Sequence, residues 1–519
     1  MSNGTLWGNP TSVPATPQAF NIPGLTNLSS PSSTLDYMLI HDHTTGTLKN
    51  ISISQLTGSV SLTSTNTWTG DNYFGSGRPW CDIRAMGAVG DGVTDDTAAW
   101  NACISKLNST AGSGILFVPP GAYCTFTGFT INGLSTGDIW ILGSGVRGSV
   151  LTACGHNVNV LYVNQQFGRT DNIAVYGYGM LPTDSVATVS QPAVRLGAAA
   201  SYWELHHLLI QGGSFPLQVE CNGCRIDEVT AQYGYGDGGG SRAANFYTIN
   251  SGHYTFHSSF DQVLPCTNPG LCTSVTNPTF PASFGSWTTG TAYTVGQVVI
   301  ASCGGRSFYI QAAKSGTAGA STPPCKPYLN KMTDGGVDWW LVAPNPFYLV
   351  QIDSGANEVV IDSTDITGFA TACLAVTNTF GVTAPQNIWL HSMTPGGCVG
   401  QGYYLNAGSN IKIEGGDFQG CLLSGCAGVF IPNTFSGRAH VDGINFHNGM
   451  SYGVLTGAGN TNLTFTHNFV QASTNGFNFG AGVDYITGIG NNCAGGTGRS
   501  GGPGANGYFP SGSSGNPGC

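Results

Sequence analysis

Charged residues make up only 8% of this 519-residue chain, so carboxylates that recur at one spacing carry information. Asp362, Glu414 and Asp442 each follow a short apolar phrase, and Asp365 and Asp417 stand three residues after two of them. Glycoside hydrolysis needs such a set. One carboxylic acid protonates the leaving oxygen and one carboxylate acts as base or nucleophile, about 5–5.5 Å apart for retention and about 6.5–9.5 Å for inversion. Carboxylates placed close together repel, which raises one pKa and keeps a proton available. The expected assignment is Glu414 as acid, with Asp362, Asp365 or Asp417 as base. His391 falls between Asp362 and Glu414, where it could orient a carboxylate or touch substrate. Trp389 and Asp442 complete the expected substrate surface, and Asp227 and Glu228 are the next acidic candidates. The competing reading is a solvated ladder whose acids serve turns or pair with His391, Lys412 and Arg438.

What positions these side chains is a repeat. The phrase is apolar, any, apolar, polar, and it reads Val359-Val360-Ile361-Asp362, Ile388-Trp389-Leu390-His391, Ile411-Lys412-Ile413-Glu414, Ala439-His440-Val441-Asp442 and Leu463-Thr464-Phe465-Thr466. From Asp362 to Thr466 is 104 residues over four steps, a period of 26. Period-2 alternation marks a strand with one buried face. A period of this size marks stacked units that bury each other's apolar faces. The phrases are too short for helix pairs and are flanked by Gly, Asn and Ser. A parallel β-solenoid with one coil per repeat follows, its coils about 4.8 Å apart. Glu414 and Asp442 then sit on neighbouring coils, while Asp362 and Glu414, like Asp365 and Asp417, are two coils apart. Upstream, Ile173–Tyr176, Trp203–His206, Cys224–Asp227 and Tyr254–His257 fit the same phrase. They place Tyr176, His206, Asp227 and His257 in the column of Asp362, and Gly179, Leu209, Thr230 and Phe260 in that of Asp365.

The composition narrows the function classes. With 78 glycines and 40% hydrophobic residues, the chain suits many strands and tight turns and not disorder. A net charge of −10 with 16 Lys+Arg argues against a nucleic-acid partner. Few charges and many aromatics suit a sugar polymer. The 16 cysteines are spread thinly and are expected to be reduced core residues, with Cys398 and Cys421 stacked on successive coils. Cys303 and Cys325 could pair. Cys221 and Cys224 have a CxxC spacing without a second pair, so no metal is expected, and no cofactor. The N-terminus has no basic and apolar signal pattern, and no run approaches the 18 apolar residues that span a bilayer. The expectation is a soluble protein without signal peptide or membrane insertion.

Residues 82–124 run Asp82-Ile83-Arg84-Ala85-Met86-Gly87-Ala88-Val89-Gly90-Asp91-Gly92-Val93-Thr94-Asp95-Asp96-Thr97, then a stretch with Ala99, Cys103 and Leu107 on one face, then Gly114–Tyr123. This resembles the entry of the pectate-lyase-like superfamily of right-handed parallel β-helices, in which phage tailspikes are prominent. The expected fold is therefore all-β: a right-handed parallel β-helix with a short N-terminal capping helix and an inserted small β module. Asp95 or Asp96 should cap a helix over 97–107 that closes the solenoid, and Asp91, Asp95 and Asp96 are read as structural. Residues 36–56, strand-turn-strand around Thr44-Thr45-Gly46, resemble a segment near the N-termini of phage tail fibres and tailspikes.

Residues 284–343 carry Trp287, Tyr293, Trp339 and Trp340 and resemble small carbohydrate-binding modules of the chitin and cellulose type. The resemblance implies that these rings stack on sugars; alternatively they form the module's own core. The expected organisation is 1–66, an N-terminal virion-docking region; 67–263, the first part of the β-helix; 264–345, the insertion, whose module 284–343 should stand outside the solenoid with no coil depending on it; 346–489, the second part; and 490–519, a loose Gly-rich tail. The resemblance implies a virion-tail protein made in the host cytoplasm. It also implies a homotrimeric assembly, docked to a tail adaptor or baseplate, that binds and hydrolyses a bacterial surface polysaccharide. No β-rich trimerisation region follows the coils. The alternatives are a non-catalytic fibre of the same fold and a microbial pectin-type enzyme, whose Asn-Thr-Asp and Gly-His-Gly patterns are absent.

Overall fold

From Val359 on, each apolar phrase is a strand whose alternate apolar residues point inward. Val359 and Ile361 stack on Ile388 and Leu390, these on Ile411 and Ile413, then on Ala439 and Val441, then on Leu463 and Phe465. All ten are buried, each large aliphatic one contributing roughly 1.5–3 kcal/mol. All these pairings are parallel. One face is a twelve-stranded sheet running from Phe129–Asn132 to Thr497–Ser500, so twelve coils stack. Another 23 strands form a sheet that bends around the coils. The bend is a single left-handed residue per coil, such as His207, Ser363, Ser392 and His467, or Gly415 and Gly443.

The computed structural model describes residues 78–519 except 110–112, 133–137, 156, 179–188, 237–241, 263, 268–270, 274–283, 304, 322–325, 327–330, 422, 434, 448–449, 473, 495–496, 502–504 and 511–514. Before residue 78 it describes 5–8, 18–21, 37–42, 47–52 and 72–74. Residues Met1–Gly70 form one unit and Asp71–Cys519 another. In the first, Tyr37–Asp42 and Thr47–Ser52 pair as the expected antiparallel hairpin. No helix among the described residues is long and apolar enough to cross a membrane.

At the entry, the helix spans Thr97–Ser109 and buries Ala99, Trp100, Cys103 and Leu107. It packs on the strands Arg78–Asp82, Gly114–Val118 and Phe129–Asn132. Asp95 accepts the Thr97 N–H at 3.0 Å, and the Asp96 carbonyl accepts that of Trp100. The Asp96 side chain instead accepts Val89 N–H at 2.6 Å and Cys124 N–H at 3.2 Å. Asp91 closes a turn by accepting Val93 and Thr94 N–H. These roles are structural.

Four expectations need correction. The cysteines are not reduced: Cys81–Cys103, Cys124–Cys154, Cys221–Cys224, Cys266–Cys272, Cys373–Cys398, Cys421–Cys426 and Cys493–Cys519 are disulfides. Cys398 and Cys421 do stack on neighbouring coils; burial does not discriminate thiol from disulfide. The pairing of Cys303 with Cys325 lies outside the described residues, as does Gly179. The second correction is a register slip. Phe256, not His257, pairs with Asp362, and Ser259, not Phe260, pairs with Asp365. Here His253 and Thr255 point inward while Tyr254 and Phe256 point out, and a one-residue slip exchanges the two faces. Tyr176 pairs with Gln211, and Asp171 takes its place beside His206.

Third, the described residues of 490–519 are packed on the coils. Asn516 is buried and continues a ladder in which Asn468 donates to Asn491 and Asn491 to Asn516. Phe509 packs on Phe477 and Phe479. Buried amides that satisfy one another need no apolar phrase, which is why composition gave no sign of them. Fourth, the insertion is not insulated from the coils. Its sheet (Val298–Cys303, Arg306–Lys314, Val337–Pro344, Met332–Asp334) is antiparallel. Phe284 and Tyr309 pack on Phe369 of a coil, and Gln262 donates to the Val342 carbonyl.

Candidate functional site

From Asp362 onward the register places the expected side chains in two columns. Asp362, His391, Glu414, Asp442 and Thr466 follow one another on successive coils, as do Asp417, Asn445 and Phe469. Most of these acids already have a partner. His391 Nδ1 lies 2.9 Å from Asp362, His467 Nδ1 2.9 Å from Asp442, and His447 Nε2 2.6 Å from Asp417. Glu414 accepts the indole N–H of Trp389, whose ring is 46% exposed, and Lys412 Nζ lies 5.0 Å from that ring's centroid. Burial alone would raise the Asp362 carboxyl, but hydrogen bonds from His391 and Ser363 outweigh it and hold it below the usual value. At Asp442 burial is likewise outweighed, by Thr466 and His467.

Asp365 behaves differently. It reaches solvent, yet the surrounding protein and the charge of Asp261 push its carboxyl up, against hydrogen bonds from Thr394 and Thr367. Asp261 ends the strand Ser259–Asp261 one coil earlier. Thr367 Oγ1 stands 3.1 Å from Asp261 Oδ1 and 3.4 Å from Asp365 Oδ2. Those two oxygens are therefore no farther apart than the two contacts laid end to end. A hydroxyl has one proton to give, so Thr367 cannot donate fully to both carboxylates at once. Asp261 also accepts Ser259 Oγ–H at 2.7 Å and Gln232 Nε2–H at 3.2 Å, and Asp365 accepts Thr394 Oγ1–H at 3.2 Å. Asp365 is the carboxyl whose pKa is raised.

The pair opens on a cleft of about 450 Å³ floored by Gly368 and Phe369 and edged by Leu264 and Thr267. Gly368 has φ +123°, and a Cβ there would run into the Gln262 carbonyl. The insertion begins just after Asp261, so it rises beside this cleft. Asp261 escaped the sequence reading because the slip at Tyr254–His257 hid its alignment. The available signal was Gln211, Gln232, Asp261 and Thr367, a polar column on successive coils.

The module's rings do not present a sugar platform. Tyr293, Trp339 and Trp340 are 3%, 0% and 6% exposed and fill its interior. Trp287 is partly buried, with Nε1 donating to Asp334 at 3.1 Å. A small module uses its large rings as core.

Residues 80–177 match the family model described as rhamnogalacturonase A/epimerase, pectate lyase-like. The coils have the fold of a right-handed parallel β-helix, and the pectate-lyase-like family match covers their first turns. Among solved structures, the A-module of mannuronan C-5 epimerase AlgE4 from Azotobacter vinelandii is similar, with TM-score 0.55 and 13% identity over 83% of this chain and 100% of that one. The A-module of AlgE6 from the same organism gives 0.55 and 14%, over 82% and 97%. The Dettilon tailspike protein gives 0.44 and 13%, over 80% and 62%. At these identities the likeness is one of fold. No curated protein matches the sequence.

Proposed function

We propose that this chain is a phage tailspike that binds and hydrolyses a bacterial surface polysaccharide, with Asp365 as general acid and Asp261 as its partner carboxylate. The observation that carries the reading is the shared Thr367 hydroxyl between two carboxylates in an open cleft, with Asp365 raised. Asp365 protonates the glycosidic oxygen as the C–O bond breaks, while Asp261 attacks the anomeric carbon. Water then cleaves the glycosyl ester, giving its proton back to Asp365. The Thr367 contacts set an upper limit on the oxygen separation at the short end of the inverting range and admit about 5–5.5 Å. Retention is the expected stereochemistry. The tail-fibre resemblance of residues 36–56 supports docking to a tail adaptor or baseplate, and the family resemblance supports a homotrimer.

The test is to incubate the protein with purified capsular polysaccharides and lipopolysaccharides and to size the products. Shortened chains that vanish with Asp365→Asn support the reading. Shortening that survives Asp365→Asn and Asp261→Asn overturns this site, and products absorbing as unsaturated sugars overturn hydrolysis.

A further inference from the structure

Three early coils carry a second concave surface, on the strand run before the bend. Successive coils align Asp138, Phe167 and Tyr202 in one column and Trp140, Arg169 and Glu204 in the next. Together they line a pocket of about 440 Å³. Phe167 and Tyr202 are 47% and 59% exposed and stack with centroids 5.4 Å apart and planes 7° from parallel. Arg169 lies 5.8 Å from the Trp140 ring centroid and bonds Asp171 at 2.7 Å.

The backbone at these rings is strained. Phe167 has φ 55° and Tyr202 φ 60°, a left-handed conformation that costs an L-residue roughly 1–2 kcal/mol. The matching corners of later coils carry Gly223, Asn387, Asn410 and Asn462, which suit it, besides Glu358 and Tyr485. Gly223 also makes room, since a Cβ there would lie 2.8 Å from the Tyr202 ring. Bulky residues persist at such positions when something beyond folding holds them there. Exposed flat rings bind the CH face of a pyranose, and flanking charged groups meet its hydroxyls.

We infer that Phe167, Tyr202 and Trp140 form a saccharide-binding site for a pyranose unit of the polymer, separate from the Asp261–Asp365 cleft. The inference rests on the proposal that this chain takes a polysaccharide. A second hold on one chain raises the effective concentration of the polymer at the cleft.

The experiment uses the full chain and the variants Phe167→Asn and Tyr202→Asn, since Asn is the residue that later coils place at this corner. Tyr202→Phe keeps the ring as a control. Purified capsular polysaccharides are titrated into each protein, following tryptophan fluorescence and affinity electrophoresis, and cleavage is measured on polymer and on short oligosaccharides cut from it. The expected result is a tenfold or greater loss of polymer affinity in both Asn variants. Their thermal midpoint should be unchanged or higher, Tyr202→Phe should bind like wild type, and turnover of short oligosaccharides should be unchanged. Wild-type affinity in both Asn variants overturns this site and leaves the cleft standing. If the unmodified chain retains none of the polysaccharides, the polymer reading itself falls, and this site with it.

Discussion

Two sets of carboxylates line the outer surface of the coils, and they differ in what answers them. Along Asp362, Glu414, Asp442 and Asp417, the neighbouring residues are histidines or an indole N–H. At Asp261 and Asp365 the shared neighbour is a neutral threonine. The first set is denser in charge and the second is smaller. Yet the second is where a carboxyl is raised, because burial and, after it, the like charge of Asp261 disfavour ionisation of Asp365. Density of acids therefore says less about chemistry than the identity of their partners.

The largest expected effect breaks this comparison directly. Asp365→Asn and Asp261→Asn should each lower polymer cleavage by about 10²–10⁴-fold, the usual contribution of a positioned acid or base, with polymer binding retained. Glu414→Gln should cost less than tenfold. A reversed order, read by sizing products over time, moves the chemistry to the ladder. Next comes Thr367→Val, which removes the hydroxyl but keeps the shape; cleavage should fall by about tenfold, and the basic limb of the pH profile should shift.

The raised carboxyl of Asp365 sharpens the comparison further. Its pKa in the folded protein lies above the ordinary 3.8. Cleavage that needs this proton is expected to fall as pH rises through the raised value. Replacing Asp261 with Asn removes one of the two causes, so the Asp365 carboxyl should titrate lower in that variant. A ¹³C carboxyl titration reads this without activity, and an unmoved Asp365 would show that burial alone sets it.

How much of this was legible in the residues follows from what alternation can encode. Strands such as Ile411–Glu414 repeat inward apolar side chains, so the coils and the two columns after Asp362 could be read by spacing alone. The slip at Tyr254–Phe256 could not, because there the inward residues are His253 and Thr255 and the outward ones aromatic. That inversion hid Asp261, while Asp365 was found as one candidate among several. The rings of the insertion were visible, but whether Trp339 faces solvent or core depends on how the antiparallel sheet packs, which composition does not state. The Asn468–Asn491–Asn516 ladder was invisible for a related reason: its residues sit in segments that look like loop until another coil is beneath them.

The smallest expected effect concerns the ladder itself. His467→Ala and His391→Ala remove imidazoles whose side chains are 70% and 49% exposed. Exposed pairs of this kind contribute about 0–1 kcal/mol. Asp442 and Asp362 have folded pKa values held below the ordinary 3.8, so their contribution is present above the unfolded value of about 3.9. It is lost as pH falls through the folded value. The difference between wild type and His467→Ala in urea unfolding should therefore be small at neutral pH and should vanish as pH falls through the lowered folded value of Asp442. Cleavage should be unchanged in both variants. A tenfold loss of cleavage in His391→Ala, with its stability intact, would instead make His391 a partner in the reaction and return the chemistry to the Asp362–Glu414 column.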